Sequence, residues 1–324
     1  MAVYYYFSDS NDGWRNLAID SFFLENLNKE DILLYFYVNA NAVIIGRNQN
    51  AWRECNVAAM EKDGVQLVRR HTGGGAVFHD LQNLNFSFIM NQSQYDVKRQ
   101  MGVIQKAVAA LGMTAELSGR NDILIEGKKF SGNAFAASKG MCAHHGTILV
   151  NTDLSRLGGY LNVSQKKMQA KGVTSVKSRV CNLNDFREGV TVQTVMSLLK
   201  TEFQAEYGPC AEYKLDRQAL SRIEELYDMQ SSWQWRFGRT PAFNYQLEER
   251  FSFGEMQFLF QVEDGHILDV SVFSDALDTD LAQLVRDRLT GVRFQPKDMA
   301  LALEQAPKKP EFQEIAQYIA AVAF

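Results

Sequence analysis

Three consecutive glycines, Gly73-Gly74-Gly75, constrain this chain more than any other feature. They stand between an apolar run, Val65-Gln66-Leu67-Val68, that reads as a buried strand, and an alternating one, Leu84-Asn85-Phe86-Ser87-Phe88-Ile89-Met90. Glycines between strands weaken a sheet unless the backbone takes unusual dihedrals or something must approach it closely. The full stretch is Arg69-Arg70-His71-Thr72-Gly73-Gly74-Gly75-Ala76-Val77-Phe78-His79-Asp80. Its two arginines offer forked donors that match phosphate or carboxylate. Glycines for approach and guanidinium for charge describe a site for an anionic, partly apolar ligand. A plain glycine-rich turn would show the same glycines, so the rest of the chain must decide.

With 324 residues the chain exceeds one typical core and implies two domains. Its 46% hydrophobic and 22% charged residues are those of a globular protein. A formal net charge of -4 argues against a dedicated nucleic-acid binder. Cys55, Cys142, Cys181 and Cys210 lie far apart without CxxC spacing, so neither a zinc site nor a disulfide framework is expected, and a reducing cytoplasm is the default. The first residues carry no basic-then-apolar leader, and no apolar run is long enough to span a membrane.

Periodicity gives the order of elements. A strand over 3–7 precedes an amphipathic helix to about Asn28. Strands at 32–38 and 42–45 follow, then a helix over 51–62 leading into the strand before the glycines. A helix over 95–111 ends at Gly112, and short strands succeed it, with Glu126-Gly127 as a turn. Asp153 is placed to cap a helix towards Tyr160. Helices are expected over 191–207 and 215–229. Around 231–244 the pattern lapses, and it restarts with strands near 251–253, 256–262 and 266–273 and helices over 280–289 and 312–321. The expectation is an α+β main domain over 1–244 and a small α+β C-terminal domain over 245–324.

Four further stretches carry chemistry. Ser118-Gly119-Arg120-Asn121-Asp122-Ile123 fixes polar groups before an apolar strand. Asp122 there suits Mg²⁺, although Asn121-Asp122 also reads as a side-chain-bonded turn. In Gly127-Lys128-Lys129-Phe130-Ser131-Gly132-Asn133-Ala134, strand alternation separates the two lysines. Lys128 is expected in solvent, while Lys129 points inward with Ser131 and Asn133 and therefore needs an anion. His144-His145-Gly146-Thr147 lacks metal-ligand spacing, and a histidine hydrogen-bonded beside the pocket is its better reading. Finally, five cations fall within the 14 residues from Lys166 to Arg179. Such a run is normally a solvated face, but it can also steer an acidic partner. The sequence contains no GxxxxGK[ST], no GxGxxG after a strand, no GxSxG and no HExxH.

Taken together and in register, RRHTGGGAVFHD, NLNFSF, GRNDI, KKFSGNA, HHGT, DLSRLGGYLN, KGVTSVKSRV and QSSWQWRFG resemble the lipoate–protein ligase A family over nearly the whole chain. The resemblance implies a mixed-sheet main domain of the biotin/lipoate-ligase type with a small accessory domain. It implies a two-step reaction: lipoate and ATP give lipoyl-AMP and pyrophosphate, and the lipoyl group then passes to a lysine of an acceptor domain. The acceptors would be E2 subunits of 2-oxoacid dehydrogenases and the glycine-cleavage H protein. Residue by residue it assigns Gly75, Ala76, Val77 and Phe78 to ATP, and Arg70 and Lys129 to both lipoate and the adenylate. Asn121 and Asp122 are expected at the nucleotide, with Asp122 on Mg²⁺. Gly73, Gly74, Gly75 and His145 are expected beside lipoate, and Lys171, Lys177 and Arg179 at the acceptor. Leu17, Val43, Val77 and Phe135 are assigned to the apolar slot. Gln82 departs from the family, which often has glycine there, and would be awkward if that turn needed a positive φ.

Cationic groups that screen charge suit these roles, since a carboxylate attacking an α-phosphate is anion against anion. The nearest rival is an ATP-independent octanoyl or lipoyl transferase on the same scaffold. A thioester route would need a reactive cysteine, and Cys142 is the one placed for it. A biotin ligase and a non-catalytic lipoate-binding module are the remaining alternatives; retention of both Arg70 and Lys129 speaks against the module. An enzyme that first closes over an adenylate and then admits a protein is also expected to move its small domain.

Overall fold

The computed structural model describes residues 1–119, 121–162, 180–237, 245–263, 266–294, 296–306 and 309–322. Arg120 and the cation-rich stretch with Lys171, Lys177 and Arg179 lie outside the described residues. The strands are β1 (Val3–Phe7), β2 (Ile32–Tyr37), β3 (Ala42–Ile45), β4 (Gln66–Arg69), β5 (Val77–His79), β6 (Asn83–Asn91), β7 (Glu116–Ser118), β8 (Asp122–Ile125), β9 (Lys128–Ser138), β10 (Met141–Leu149), β11 (Ala211–Glu212), β12 (Tyr245–Phe251), β13 (Gly254–Glu263) and β14 (His266–Ser274). The helices are α1 (Gly13–Asn26), α2 (Ala51–Glu54), α3 (Val57–Lys62), α4 (Val97–Ala109), α5 (Leu157–Tyr160), α6 (Val192–Tyr207), α7 (Arg217–Ser231), α8 (Trp233–Arg236), α9 (Leu281–Leu289), α10 (Pro296–Glu304) and α11 (Pro310–Ala321).

An eight-stranded mixed sheet, ordered β11-β1-β2-β6-β10-β9-β8-β7, forms the backbone of the main domain. Its central strands are buried on both faces, which is why β2 reads as an unbroken apolar run, while β6 keeps its alternation by burying Asn83, Asn85 and Ser87. One face packs under α4 and α6 on a core that includes Phe86, Phe88, Phe130 and Phe203. The other packs against α1 and α7 through Phe23, Leu33, Tyr35 and Ile223. On that second side stands a three-stranded sheet, β4-β3-β5, whose β4–β5 connection is the glycine loop. The functional stretch is thus suspended between two sheets.

Several boundaries differ from expectation for local reasons. The single helix over 51–62 is two, because Asn56 caps α3 through its side chain and Cys55 forms a bridge to Leu161. Asp153 caps no helix; its carboxylate accepts from the Ser155 amide, an Asx turn, and α5 begins only at Leu157. Glu126-Gly127 is the expected turn, with φ of 49° and 76° on the two residues. Gln82 needs no positive φ: among the described residues only Glu126 and Lys139 are non-glycines in that region.

In the C-terminal domain, β12, β13 and β14 form an antiparallel sheet covered by α9, α10 and α11 over its own core of Phe258, Phe260, Leu303 and Ile315. Its first strand lies earlier than the aromatic pair Phe251 and Phe253 indicated, since those rings stack at the turn into β13. This domain docks on the main one beside the glycine loop. Ser274 N donates to Asn48 O at 2.8 Å and Asn48 Nδ2 to Thr279 O at 3.0 Å.

Candidate active site

The glycine loop is held from beneath by its own arginines. Arg69 is fully buried, and its guanidinium is tied to backbone: Nε donates to Trp235 O at 3.0 Å, Nη2 to Arg236 O at 2.8 Å, and Nη1 to the carbonyls of Gly46, Arg47 and Gln49. Trp235 returns a bond from Nε1 to Arg69 O and lays its ring 4.9 Å from the His71 imidazole. Sequence distance hides this staple between α8 and the site. Arg70 is similarly enclosed: Nε donates to Thr72 Oγ1 at 3.1 Å, Nη2 to Gly73 O at 2.6 Å and Gly75 O at 2.9 Å, and Nη1 to Ile44 O at 3.2 Å. Burial pushes its pKa down to about 10, so it remains a cation at neutral pH. Its donors here serve the loop and the end of β3, and its charge lies behind glycine backbone.

That packing explains the glycines. A Cβ at Gly74, where φ is +96°, would lie 2.7 Å from Arg70 Nη2. A Cβ at Gly73 would lie 2.1 Å from Ala276 O, the carbonyl that also accepts from Gly74 N at 3.2 Å. Close approach is required twice over, by the arginine below and by the C-terminal domain above.

His145 faces this loop from β10. Its Nε2 is 2.6 Å from Thr72 Oγ1, and its Nδ1 is 3.5 Å from Asp20 Oδ2 on α1. Asp20 Oδ1 is buried with no hydrogen-bond partner. Asp20 was not singled out from sequence, although a carboxylate one turn beyond Leu17 on the apolar face of α1 was a readable signal. His79, at the end of β5, completes the wall. Asn16 Nδ2 donates to Asn39 Oδ1 at 2.9 Å, so Asn39 presents its NH₂ to His79 Nδ1 at 3.0 Å. The His79 proton therefore sits on Nε2, which is buried and unpartnered. Burial, and then the nearby Arg70, push the His79 pKa down to about 3, so the ring is a neutral donor. Tyr37, stacked 4.9 Å from Tyr35, is pushed well above its ordinary value by burial and then by Asp20. A neutral donor on His79 and a carboxylate oxygen on Asp20, both buried without partners near the glycine loop, are the kind of polar points at which an amphiphilic ligand can be held.

Lys129 takes an unexpected face. The β8–β9 register shifts by one residue opposite Phe130, a bulge that buries Phe130 in the core and turns Lys129 over. Lys129 therefore does not share a face with Ser131 and Asn133. It lies over Gly132, where a Cβ would be 2.7 Å from Lys129 Nζ, and so on the side of Thr147 and His145. Its anion is Asp122, with Nζ 2.6 Å from Oδ1. Lys128 is exposed, as expected. Asn121 precedes the pair in an exchange of bonds with Asn133: Asn121 Nδ2 donates to Asn133 O at 2.9 Å, and Asn133 N donates to Asn121 O at 2.9 Å.

For a divalent cation, Asp122 offers one hard oxygen donor set. Among the described residues no three His, Cys, Asp or Glu side chains converge. The site fits a Mg²⁺ that arrives with phosphate oxygens and completes its shell with water, and does not fit an all-protein cage. Gly75, Ala76, Val77 and Phe78 run from the loop into β5 beside β3. Of the four residues assigned to an apolar slot, Leu17 and Val77 share the cluster on this side. Val43 packs in the small sheet's outer core, and Phe135 packs against the core on the far face.

The model of the Lipoyl protein ligase A/B catalytic domain matches residues 12–204, more than half of the chain, and that of the bacterial lipoate protein ligase C-terminus matches residues 240–319. The chain belongs to the lipoate–protein ligase A family. Among solved structures, P. falciparum LipL1 in complex with lipoate is similar over 99% of this chain and 100% of that one, with 27% identity and a TM-score of 0.88. A bipartite lipoate protein ligase from Thermoplasma acidophilum, described with its E2 lipoyl domain, has 31% identity and a TM-score of 0.67 over 75% of this chain and 98% of that one. A lipoate-protein ligase A bound with ATP has 30% identity and a TM-score of 0.64 over 74% of this chain and 99% of that one. Among the described residues no helix is long and apolar enough to cross a membrane.

Proposed function

We propose that the protein is an ATP-dependent lipoate–protein ligase acting on lipoyl-domain acceptors such as E2 subunits and the H protein. In the first step a lipoate carboxylate oxygen attacks the α-phosphorus of ATP, the bond to the bridging oxygen breaks, and pyrophosphate leaves. In the second, the deprotonated amine of an acceptor lysine attacks the acyl carbon, its C–O bond breaks, and AMP leaves. The first step brings anions together, so Lys129, released from Asp122 to the ligand, and Arg70 behind the glycines would screen the charge. Mg²⁺ held by Asp122 and phosphate oxygens would neutralise charge on the leaving group.

The observation that carries the ligase reading over the thioester transferase is the state of the thiols. Cys142 is buried in β10 with its pKa raised by burial, and strand alternation places it on the face opposite His145 and the glycine loop. Burial likewise pushes Cys55 up to about 12 and Cys181 up to about 11, and raises Cys210. A nucleophilic cysteine needs a lowered pKa and access. With no thiol so poised, activation of the acyl group must come from elsewhere, and ATP supplies it.

The test is a mass-shift assay with lipoate, Mg²⁺, ATP and an apo lipoyl domain. A lipoyl-sized shift that disappears without ATP and in Lys129→Ala, yet survives Cys142→Ser, is the expected result. A shift without ATP would replace this reading with the transferase.

A further inference from the structure

His144 and His145 are adjacent in sequence but face opposite sides of β10, and only His145 belongs to the pocket. His144 is fully buried among Phe86, Phe88 and Phe135, with ring centroids 5.6, 5.6 and 4.9 Å away. Such a cage would be filled by phenylalanine at no cost in polar groups, so an imidazole there needs a reason. Both nitrogens face a side-chain oxygen: Nδ1 lies 2.9 Å from Gln100 Oε1 and Nε2 2.9 Å from Asn133 Oδ1. Asn133 turns its Nδ2 to Asn121 O at 3.1 Å, which leaves Oδ1 as the acceptor and places the His144 proton on Nε2. Burial pushes the ring's pKa down to about 3, so the ring holds a single proton, and it is the Nε2–H···Asn133 Oδ1 bond that fixes it, with Nδ1 facing Gln100 Oε1. Gly146 permits the arrangement, since a Cβ there would lie 2.6 Å from Asn133 Oδ1.

We infer that His144 is a positioning residue. Through its bond to Asn133 it fixes the Asn121 carbonyl, and so the turn that brings Asp122 against Lys129. These side chains have no route to solvent exchange of partners, because Gln100, His144 and Asn133 are all buried. The link from His144 to Asn133 has one orientation, and the polar turn at the sheet edge inherits it. This inference rests on the adenylating role proposed for Asp122 and Lys129.

The experiment compares wild type with His144→Phe, which keeps the aromatic volume, and Asn133→Ser, which breaks the next link. Two readouts are needed. Amide exchange, which requires no activity, should quicken at Asn133 while β6 keeps its protection. Pyrophosphate release should show kcat/KM for ATP lowered about tenfold in both variants, the scale of losing an outer partner of a reacting group, with lipoate affinity unchanged. Unchanged exchange at Asn133, or equal losses towards ATP and lipoate, would overturn the inference. If wild type releases no pyrophosphate while exchange still responds, the ligase reading fails and the positioning chain stands.

Discussion

At the scale of single residues, the site and the core behind it contain groups whose protonation is fixed by burial. His79 and His144 both have folded-state pKa values of about 3, against about 6.5 when unfolded. Above pH 6.5 neither state holds these protons and stability is indifferent to them. As pH falls towards 3 the unfolded chain takes up two protons that the folded one refuses, so stability declines across that window. The steepest contribution approaches about 2.7 kcal/mol per pH unit for the pair. Urea midpoints measured from pH 7.5 to 4.5 should show this decline, shallower by about one proton in His144→Phe; equal slopes would place the acid sensitivity elsewhere. Arg70 poses the converse case. Arg70→Met keeps the stem but strips donors from Gly73 O, Gly75 O and Ile44 O, and one unpaired buried carbonyl costs about 1–3 kcal/mol. A loss of about 3 kcal/mol in denaturant unfolding, with loss of lipoylation, is expected. Full stability would mean that the loop can find other donors.

Elements show where the sequence is informative and where it stops. Gly146 and Gly102 look alike in a string of letters, yet their surroundings are opposite. A methyl at Gly146 on β10 would lie 2.6 Å from both Asn133 Oδ1 and Phe86 Cζ, whereas one at Gly102 in α4 meets nothing within 4 Å. Gly146→Ala should therefore destabilise by about 1–3 kcal/mol through overpacking, and Gly102→Ala should stabilise by about 1 kcal/mol through helix propensity. Thermal melts of the two variants shifting the same way would contradict the register of β10 against β6 and β9. Helix α6 was legible because propensity and apolar spacing agree, as was the Glu126-Gly127 turn, while Thr191 proves to be its cap and not its first residue. The face of Lys129 was not legible. Alternation counts residues, and a bulge at Phe130 adds one that no pattern in the strand announces. The break between α2 and α3 escaped for a similar reason, since it follows from a bridge to Leu161, more than a hundred residues away. Within the pocket, the glycine loop, Lys129 and His145 were readable as residue types with a motif. Arg69's hold on Trp235 and the His79 tautomer were not, because each depends on partners supplied by distant segments.

For the molecule as a whole, the question raised by the proposed function is how a docked C-terminal domain would coexist with a site that admits a folded acceptor. The domain touches the glycine loop itself: Gly74 N bonds Ala276 O, and Asn48 is bound from Ser274 and Thr279. Any rearrangement of the loop around a ligand is therefore felt at the domain contact, and any lifting of the domain frees a backbone amide at the loop. Gly73→Ala isolates this coupling. Its Cβ would stand 2.1 Å from Ala276 O, backbone against backbone, and neither side has a flexible end that could yield. The 274–279 segment must lift, while Gly73 carries no positive φ that alanine would strain. Small-angle scattering of the unliganded variant should then give a larger radius of gyration than wild type. On the proposed reading lipoate affinity should change little, because the Arg70–Thr72–His145 bonds lie away from the Ala276 contact. If the variant scatters as wild type does, the main domain has absorbed the methyl and the contact is not a hinge point. If it scatters as an opened molecule and gains acceptor lipoylation from preformed lipoyl-AMP, domain docking is a barrier to the second step, set by the absence of one methyl group.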